Sequence, residues 1–239
     1  IIFILSIINI FTFKGFFIIS LILLMLGIPT LFSLFFFVSF GEKANKVPGA
    51  VDNLSAVAIL LGLGQFIKKN REIIPKNTEI RLISFGCEEA GLRGAYRYVE
   101  SHLDEFNKYD AECVNMDSIQ TPNSFSIIDF EPSTRTKHSD VVVQKLIKAA
   151  QNSEIKVKVS GLGGSKLLEK VFGQITGGTD ATAFSKLNIK AATISAMNLK
   201  RMLEIYHQPT DTLDKIEKGA LENALRLCVN YLILDPSKK

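Results

Sequence analysis

Apolar positions follow two regimes along the chain. Between Ile1 and Phe40 the only charged side chain is Lys14, and from Phe16 to Phe40 the only polar side chains are Ser20, Thr30, Ser33 and Ser39. As a helix, Phe16 to Phe40 would reach roughly 37 Å at ~1.5 Å per residue. That length crosses a bilayer core of ~30 Å, with a bend at Gly27 and Pro29. Ile1 to Phe13 is equally apolar but would reach only about 20 Å, and the chain opens on Ile rather than Met. The pattern predicts a transmembrane helical hairpin over residues 1–40, its first helix cut short and Lys14-Gly15 as the turn. A signal peptide fits less well, because a basic leading region and a small-residue cleavage site are absent.

From Gly41 onward the periodicity changes, and helices alternate with short apolar runs. Asn53–Lys69 carries Leu54, Val57, Ala58, Leu61 and Phe66 at helical spacing and ends in Lys68-Lys69, suited to a helix C-terminus. Glu79–Phe85 reads as a strand between Pro75-Lys76-Asn77 and Gly86. Further helices are predicted over Leu92–Phe106, Ser139–Asn152, Ala181–Leu187 and Lys215–Leu234, and further strands over Ala111–Met116, Ser124–Phe130, Ile155–Val159 and Ala191–Ser195. Such alternation implies an α/β domain over residues 41–239, its mixed, mostly parallel sheet covered on both faces. In open sheets of this kind, chemistry gathers beyond the carboxyl ends of the strands.

Composition narrows the function classes. The chain has 239 residues, 47% hydrophobic and 22% charged, the balance of an ordered protein. A net charge of +4 without a basic stripe excludes nucleic acid as the partner. Cys87, Cys113 and Cys228 form no CxxC pair, so neither a disulfide framework nor a thiolate zinc site is indicated. Cys87 reads as a buried small apolar residue rather than a nucleophile.

Four segments bring acidic or imidazole groups to loop positions. Pro48-Gly-Ala-Val-Asp52-Asn53-Leu-Ser precedes the first helix of the domain, and Phe85-Gly-Cys-Glu88-Glu89-Ala-Gly-Leu follows the predicted strand. Val114-Asn-Met-Asp117-Ser ends a second strand, and Ile205-Tyr-His207-Gln-Pro-Thr-Asp211-Thr lies before the closing helix. Taken singly, each has a plain explanation: an N-cap, a solvated acidic turn, a strand-end turn, a structural histidine. Taken together, they fit a hydrolytic zinc site. Such a site needs carboxylate and imidazole ligands, an open position for water, and a carboxylate off the metal to take a proton. Adjacent Glu residues suit the last requirement, since one can ligate while its neighbour faces the water.

These segments, with Cys87-Glu-Glu-Ala-Gly-Leu-Arg-Gly-Ala and Gly177-Gly-Thr-Asp180, resemble the M28 zinc peptidases in the same order, from about Pro48 to Asp235. The resemblance implies a three-layer α/β/α sandwich and two cocatalytic zinc ions. It assigns Asp52 as the bridge between the metals, Glu89 and His207 to one zinc, Asp117 to the other, and Glu88 as general base. It implies a cis Asp52–Asn53 peptide bond, and it places Asp180, Tyr206 and Asp211 beside the ligands or on the substrate side. The implied activity is that of a membrane-anchored zinc exopeptidase, most simply an aminopeptidase, whose partners are a peptide substrate and the lipid bilayer.

Two departures stand out. The family's His-x-Asp segment, source of the remaining ligand, has no counterpart here; His102 and His138 do not match its position. The sequence therefore leads us to expect that histidine upstream of Ile1, with an even number of membrane spans between it and Asp52, and one zinc in this stretch alone. The other departure is Val51 where many relatives carry Asp. Two other functions compete: a mononuclear zinc site on Asp52, Glu89 and His207 like that of the glutaminyl cyclases, and a non-catalytic tethered module. The Gly161–Gly164 and Gly173–Gly178 loops lack a P-loop Lys-Ser/Thr and read as pocket walls.

Overall fold

A computed structural model of the chain describes residues 20–28, 46–159 and 177–234. Residues 20–28 are helical; the rest of the predicted membrane hairpin, the Gly161–Gly164 loop and residues 173–176 of the second glycine loop lie outside the described residues. The domain's helices are α1 (Ser55–Lys69), α2 (Arg93–Lys108), α3 (Asp140–Asn152), α4 (Ala181–Lys186), α5 (Leu199–Ile205) and α6 (Ala220–Leu232). Its strands are β1 (Glu112–Ile119), β2 (Phe125–Ile128), β3 (Phe130–Glu131), β4 (Thr136–Lys137), β5 (Val157–Val159) and β6 (Lys190–Ala196).

The main sheet runs β1-β6-β2-β5, and β3 and β4 form a separate hairpin. β1 pairs with β6 and β2 with β5 in parallel, while β2 and β6 run antiparallel, giving the expected mixed, mostly parallel sheet. Side chains two apart on a strand share a face. Thus Ala192, Ile194 and Ala196 of β6 join Met116, Ala56, Ile59, Leu146 and Leu227 in a core beneath α1, α3 and α6. Ala191, on the opposite face, joins Val99, Phe106, Ala181 and Phe184 beneath α2 and α4. The two cores make the described domain an α/β/α sandwich.

Several expectations shift. Glu79–Phe85 forms no strand; among the described residues no backbone pairs with it. Its side chains are held instead by α2, with Phe85 5.5 Å from Tyr98 between ring centroids and Arg81 Nη1 3.0 Å from Glu105 Oε2. The closing helix begins at Ala220 rather than Lys215, because Leu213–Lys215 is a 3-10 turn and Gly219 takes a left-handed φ of 89°. The β3–β4 hairpin, made of two-residue strands, and α5 carry too little periodicity to be predicted. The helical run Ala50–Lys69 is long and apolar enough to cross a bilayer, yet it buries Ala56, Ile59 and Leu63 in the domain core and is a core element.

Along α3 the buried and exposed faces are cleanly divided: Leu146 is 0% exposed and Val141 48%. Leu146→Ala should lower stability by about 2–5 kcal/mol, whereas Val141→Ala should stay within ~0.5 kcal/mol of the parent, both read from denaturant midpoints.

Candidate metal centre

Asp52 lies in the turn Ala50–Leu54 that leads into α1, and the Asp52–Asn53 peptide is cis, as the family resemblance implies. A carboxylate on this turn must be aimed by backbone, and the buried Asp211 does so. Its Oδ1 accepts the Val51 N–H at 2.8 Å and its Oδ2 accepts the Asp52 N–H at 3.1 Å, while its own carbonyl accepts the Ala50 N–H. Asn53 ties the same turn to β1: its Nδ2 donates to the Met116 carbonyl at 3.0 Å and its Oδ1 accepts the Ser118 N–H at 3.3 Å. Ser55 adds a third stitch, donating to the Val51 carbonyl and accepting the Ile119 N–H.

The register of β1 on β6 slips after Asp117, which opposes Ser195, so that Ile119 opposes Ala196. The extra residue, Ser118, sits at φ +56°, a bulge of the kind that re-aims side chains at strand ends. Its hydroxyl donates to Asp117 Oδ1 at 2.8 Å. The Glu88-Glu89 pair leads into α2, where the Glu88 carbonyl accepts the Gly91 and Leu92 N–H groups. Gly94 makes this seating possible, since a Cβ there would lie 2.1 Å from the Gly86 carbonyl oxygen. Cys87, expected to be buried, is exposed; its left-handed φ of 57° turns the chain so that Glu88 takes the half-buried position. His207 is also left-handed at 55°, and Tyr206 stacks on it with ring centroids 3.9 Å apart. Backbone held off its preferred regions beside Glu88, Asp117 and at His207 is the pattern of a site over-determined by its surroundings.

Ligand atoms of Asp52, Glu89 and His207 all lie within 4.8 Å of one another. His207 Nε2 is 2.8 Å from Glu89 Oε1 and 3.7 Å from Asp52 Oδ2. Glu88 and Asp117 border the same cleft, of about 350 Å³, as do Tyr206 and the Glu131–Thr134 loop. Asp117 is not one of the three that converge within 4.8 Å. Asp180 stands to one side, with Oδ1 buried and without a hydrogen bond among the described residues. His102 packs on Tyr98 and His138 pairs with Glu131, and neither is among the three residues that converge.

The electrostatics identify what the centre can hold. Burial, with the charges of Asp117 and Glu89, pushes Asp52 up to about 7 and Glu88 up to about 9. Burial also raises Asp117 and, with Asp117 and Glu131 nearby, lifts Asp180 to about 6. Crowded carboxylates with raised pKa values and one imidazole make a donor set suited to a divalent cation, with oxygen and nitrogen ligands of the kind zinc takes. Sequence reasoning missed Glu131, which lines this cleft from a hairpin too short to signal itself. It also missed the bulge at Ser118, since no residue preference marks a serine for φ > 0.

Asp211→Asn keeps the volume but sets an amide N–H₂ against one of the two backbone donors. A charge-assisted hydrogen bond contributes about 1.5–3 kcal/mol, so this variant should lose stability of that order and bind divalent metal more weakly, as read by denaturation and metal titration.

Comparisons with known proteins agree with this geometry. Over 183 residues the chain is 27% identical to the aminopeptidase YwaD of Bacillus subtilis, covering 74% of this chain and 35% of that protein. Its fold is similar to an aminopeptidase from Aneurinibacillus sp. strain AM-1, at 26% identity and a TM-score of 0.57, over 78% of this chain and 39% of the other. It is also similar in fold to a zinc aminopeptidase from Bacillus subtilis, at 22% identity and a TM-score of 0.59, over 77% and 41%. The chain thus spans well under half the length of each of these relatives. The sequence profile of Peptidase family M28 matches residues 37–232, and the chain belongs to that family.

Proposed function

We propose that residues 41–239 are catalytic sequence of a zinc-dependent aminopeptidase. The observation that carries this reading is the convergence of Asp52, Glu89 and His207 within 4.8 Å, in a cleft that Glu88 and Asp117 also border. Two features favour trimming from the amino end. Among the described residues no Lys or Arg lines the cleft, while the carboxylates of Asp52, Glu88, Glu89 and Asp117 do. A free C-terminal carboxylate would meet no cation there, whereas a protonated terminal amine meets opposite charge.

In this reading Asp52, Glu89 and His207 would hold one zinc, and Asp52 and Asp117 would contribute to a second. Zinc, when bound, supplies Lewis acidity that polarises the scissile carbonyl and acidifies water. The remaining steps belong to the chain. Glu88, half-buried and not among the three convergent ligands, is raised first by burial and then by the charges of Asp117 and Glu89, and offsetting those charges brings it down toward a competent base. It accepts the proton of the attacking water and returns it to the departing amine. Tyr206, held flat against His207, keeps its phenol protonated through burial and the neighbouring carboxylates, and so presents a donor on the substrate side. Asp211 supports Asp52 from behind through the Val51 and Asp52 amides.

Membrane anchoring by residues 1–40 is part of the proposal. It rests on the near absence of charge there and on the helical residues 20–28, where Ile22, Met25, Leu26 and Ile28 are each more than half exposed. A second reading, a mononuclear zinc enzyme of the glutaminyl-cyclase kind, is favoured by the fact that only three ligands converge tightly among the described residues.

Glu88→Gln should retain zinc within error while hydrolysis of an aminoacyl p-nitroanilide falls by a factor of about 10² or more; equal turnover would remove Glu88 from the mechanism. Zinc counted by elemental analysis of the full-length protein separates the two readings: two ions per chain support the peptidase, one the cyclase.

A further inference from the structure

One carboxylate in the cleft wall takes no part in the centre described above. Glu131, 4% exposed, ends β3 at the turn of the β3–β4 hairpin, and the loop residues Pro132, Ser133 and Thr134 line the cleft with it. Its Oε1 accepts from Thr179 Oγ1 at 2.6 Å and lies 2.9 Å from His138 Nε2. Its Oε2 accepts from the Thr179 N–H at 3.0 Å, Thr182 Oγ1 at 2.5 Å and Thr134 Oγ1 at 3.4 Å. An ionised carboxylate offers about four acceptor sites, so five donors leave it no capacity for a ligand. Burial alone would raise this carboxyl, but the bonds from His138, Thr179 and Thr182 outweigh it and hold it below its usual range.

The donors come from separate parts of the fold. Thr179 and Thr182 belong to the turn that opens α4, and His138 follows β4 and reaches Ser185 of α4 through Nδ1 at 2.8 Å. Thr179 continues to Thr193 of β6 at 2.6 Å, which accepts from Asn115 of β1. Gly178 lies in the middle of this junction, where a Cβ would fall 2.4 Å from Thr134 Cγ2 and 2.9 Å from Glu131 Oε2. One anion therefore fastens the hairpin to the Gly177–Thr182 turn, and the two together form a part of the cleft wall that contains none of Asp52, Glu89, Asp117 and His207.

We propose that Glu131 is a specificity-positioning residue: with its charge consumed internally, it fixes a neutral wall of Ile128, Pro132, Thr134 and Gly178 against which the uncharged side chain of the substrate's terminal residue packs. This rests on the aminopeptidase reading for the identity of the substrate. The wall selects by size and not by charge, because no acceptor of Glu131 is left to meet a Lys or Arg side chain.

The test uses the full-length, zinc-loaded protein carrying Glu88→Gln, so that binding is read without turnover. Calorimetric affinities for L-leucinamide, L-alaninamide and L-lysinamide are compared with and without Glu131→Gln. One methylene in a fitted pocket is worth roughly ten-fold in discrimination, so Glu131→Gln should compress the leucinamide-to-alaninamide ratio by about that factor, with zinc content unchanged. L-lysinamide should bind no tighter than L-leucinamide before the change. Gly178→Ala, which keeps the carboxylate and its donors but drives a methyl into Thr134, should weaken leucinamide more than alaninamide, and it decides the matter if Glu131→Gln does not fold. In the active background the same variants should move KM for the leucine p-nitroanilide more than kcat. An unchanged ratio in the folded variants, loss of zinc, or tighter binding of L-lysinamide overturns the proposal. Discrimination in binding with no hydrolysis by the unmodified protein would overturn the aminopeptidase reading instead and leave this one standing.

Discussion

Like charges brought together at the end of a sheet repel, and everything about this site follows from holding them there. Asp52, Glu88, Glu89 and Asp117 border one cleft, yet no Lys or Arg lines it among the described residues. What holds the acids is backbone amides and neutral side chains: the Val51 and Asp52 N–H groups donate to Asp211, Asn53 ties the same turn to β1, and Ser118 donates to Asp117. Such an arrangement leaves the negative potential uncompensated by protein, the condition under which a cation is bound strongly and a neighbouring carboxyl is kept protonated without one.

The two hydrophobic cores supply the rigidity this requires. β1 and β6 carry side chains into both, so the strand ends that bear Asp117 and Ser195 are fixed from above and below. A buried sheet covered on both faces has little freedom to relax the repulsion by moving its strands.

How much of this was legible beforehand differs by element. The helices α1, α2, α3 and α6 and strands β1 and β6 announce themselves because a long periodic pattern records which face is buried. The site residues were legible through motif order, since Asp52, Glu89 and His207 converge although 37 residues separate the first two and 118 the last two. Glu131 was not, because its importance depends on five donors scattered from Thr134 to Thr182 that no local pattern links. Glu79–Phe85 was misread for the opposite reason: its alternation is that of a strand, but a strand exists only where a neighbouring backbone can pair with it.

His207 and Asp211 share one short loop, and Asp211 accepts the amides of Ala50, Val51 and Asp52. The imidazole and the carboxylate it faces are thereby geared to each other through main chain and one buried side chain, that of Asp211. A designer moving this centre to another scaffold would have to graft residues 49–55 and 206–212 as a matched cassette, because either half alone arrives without the part that sets its angle.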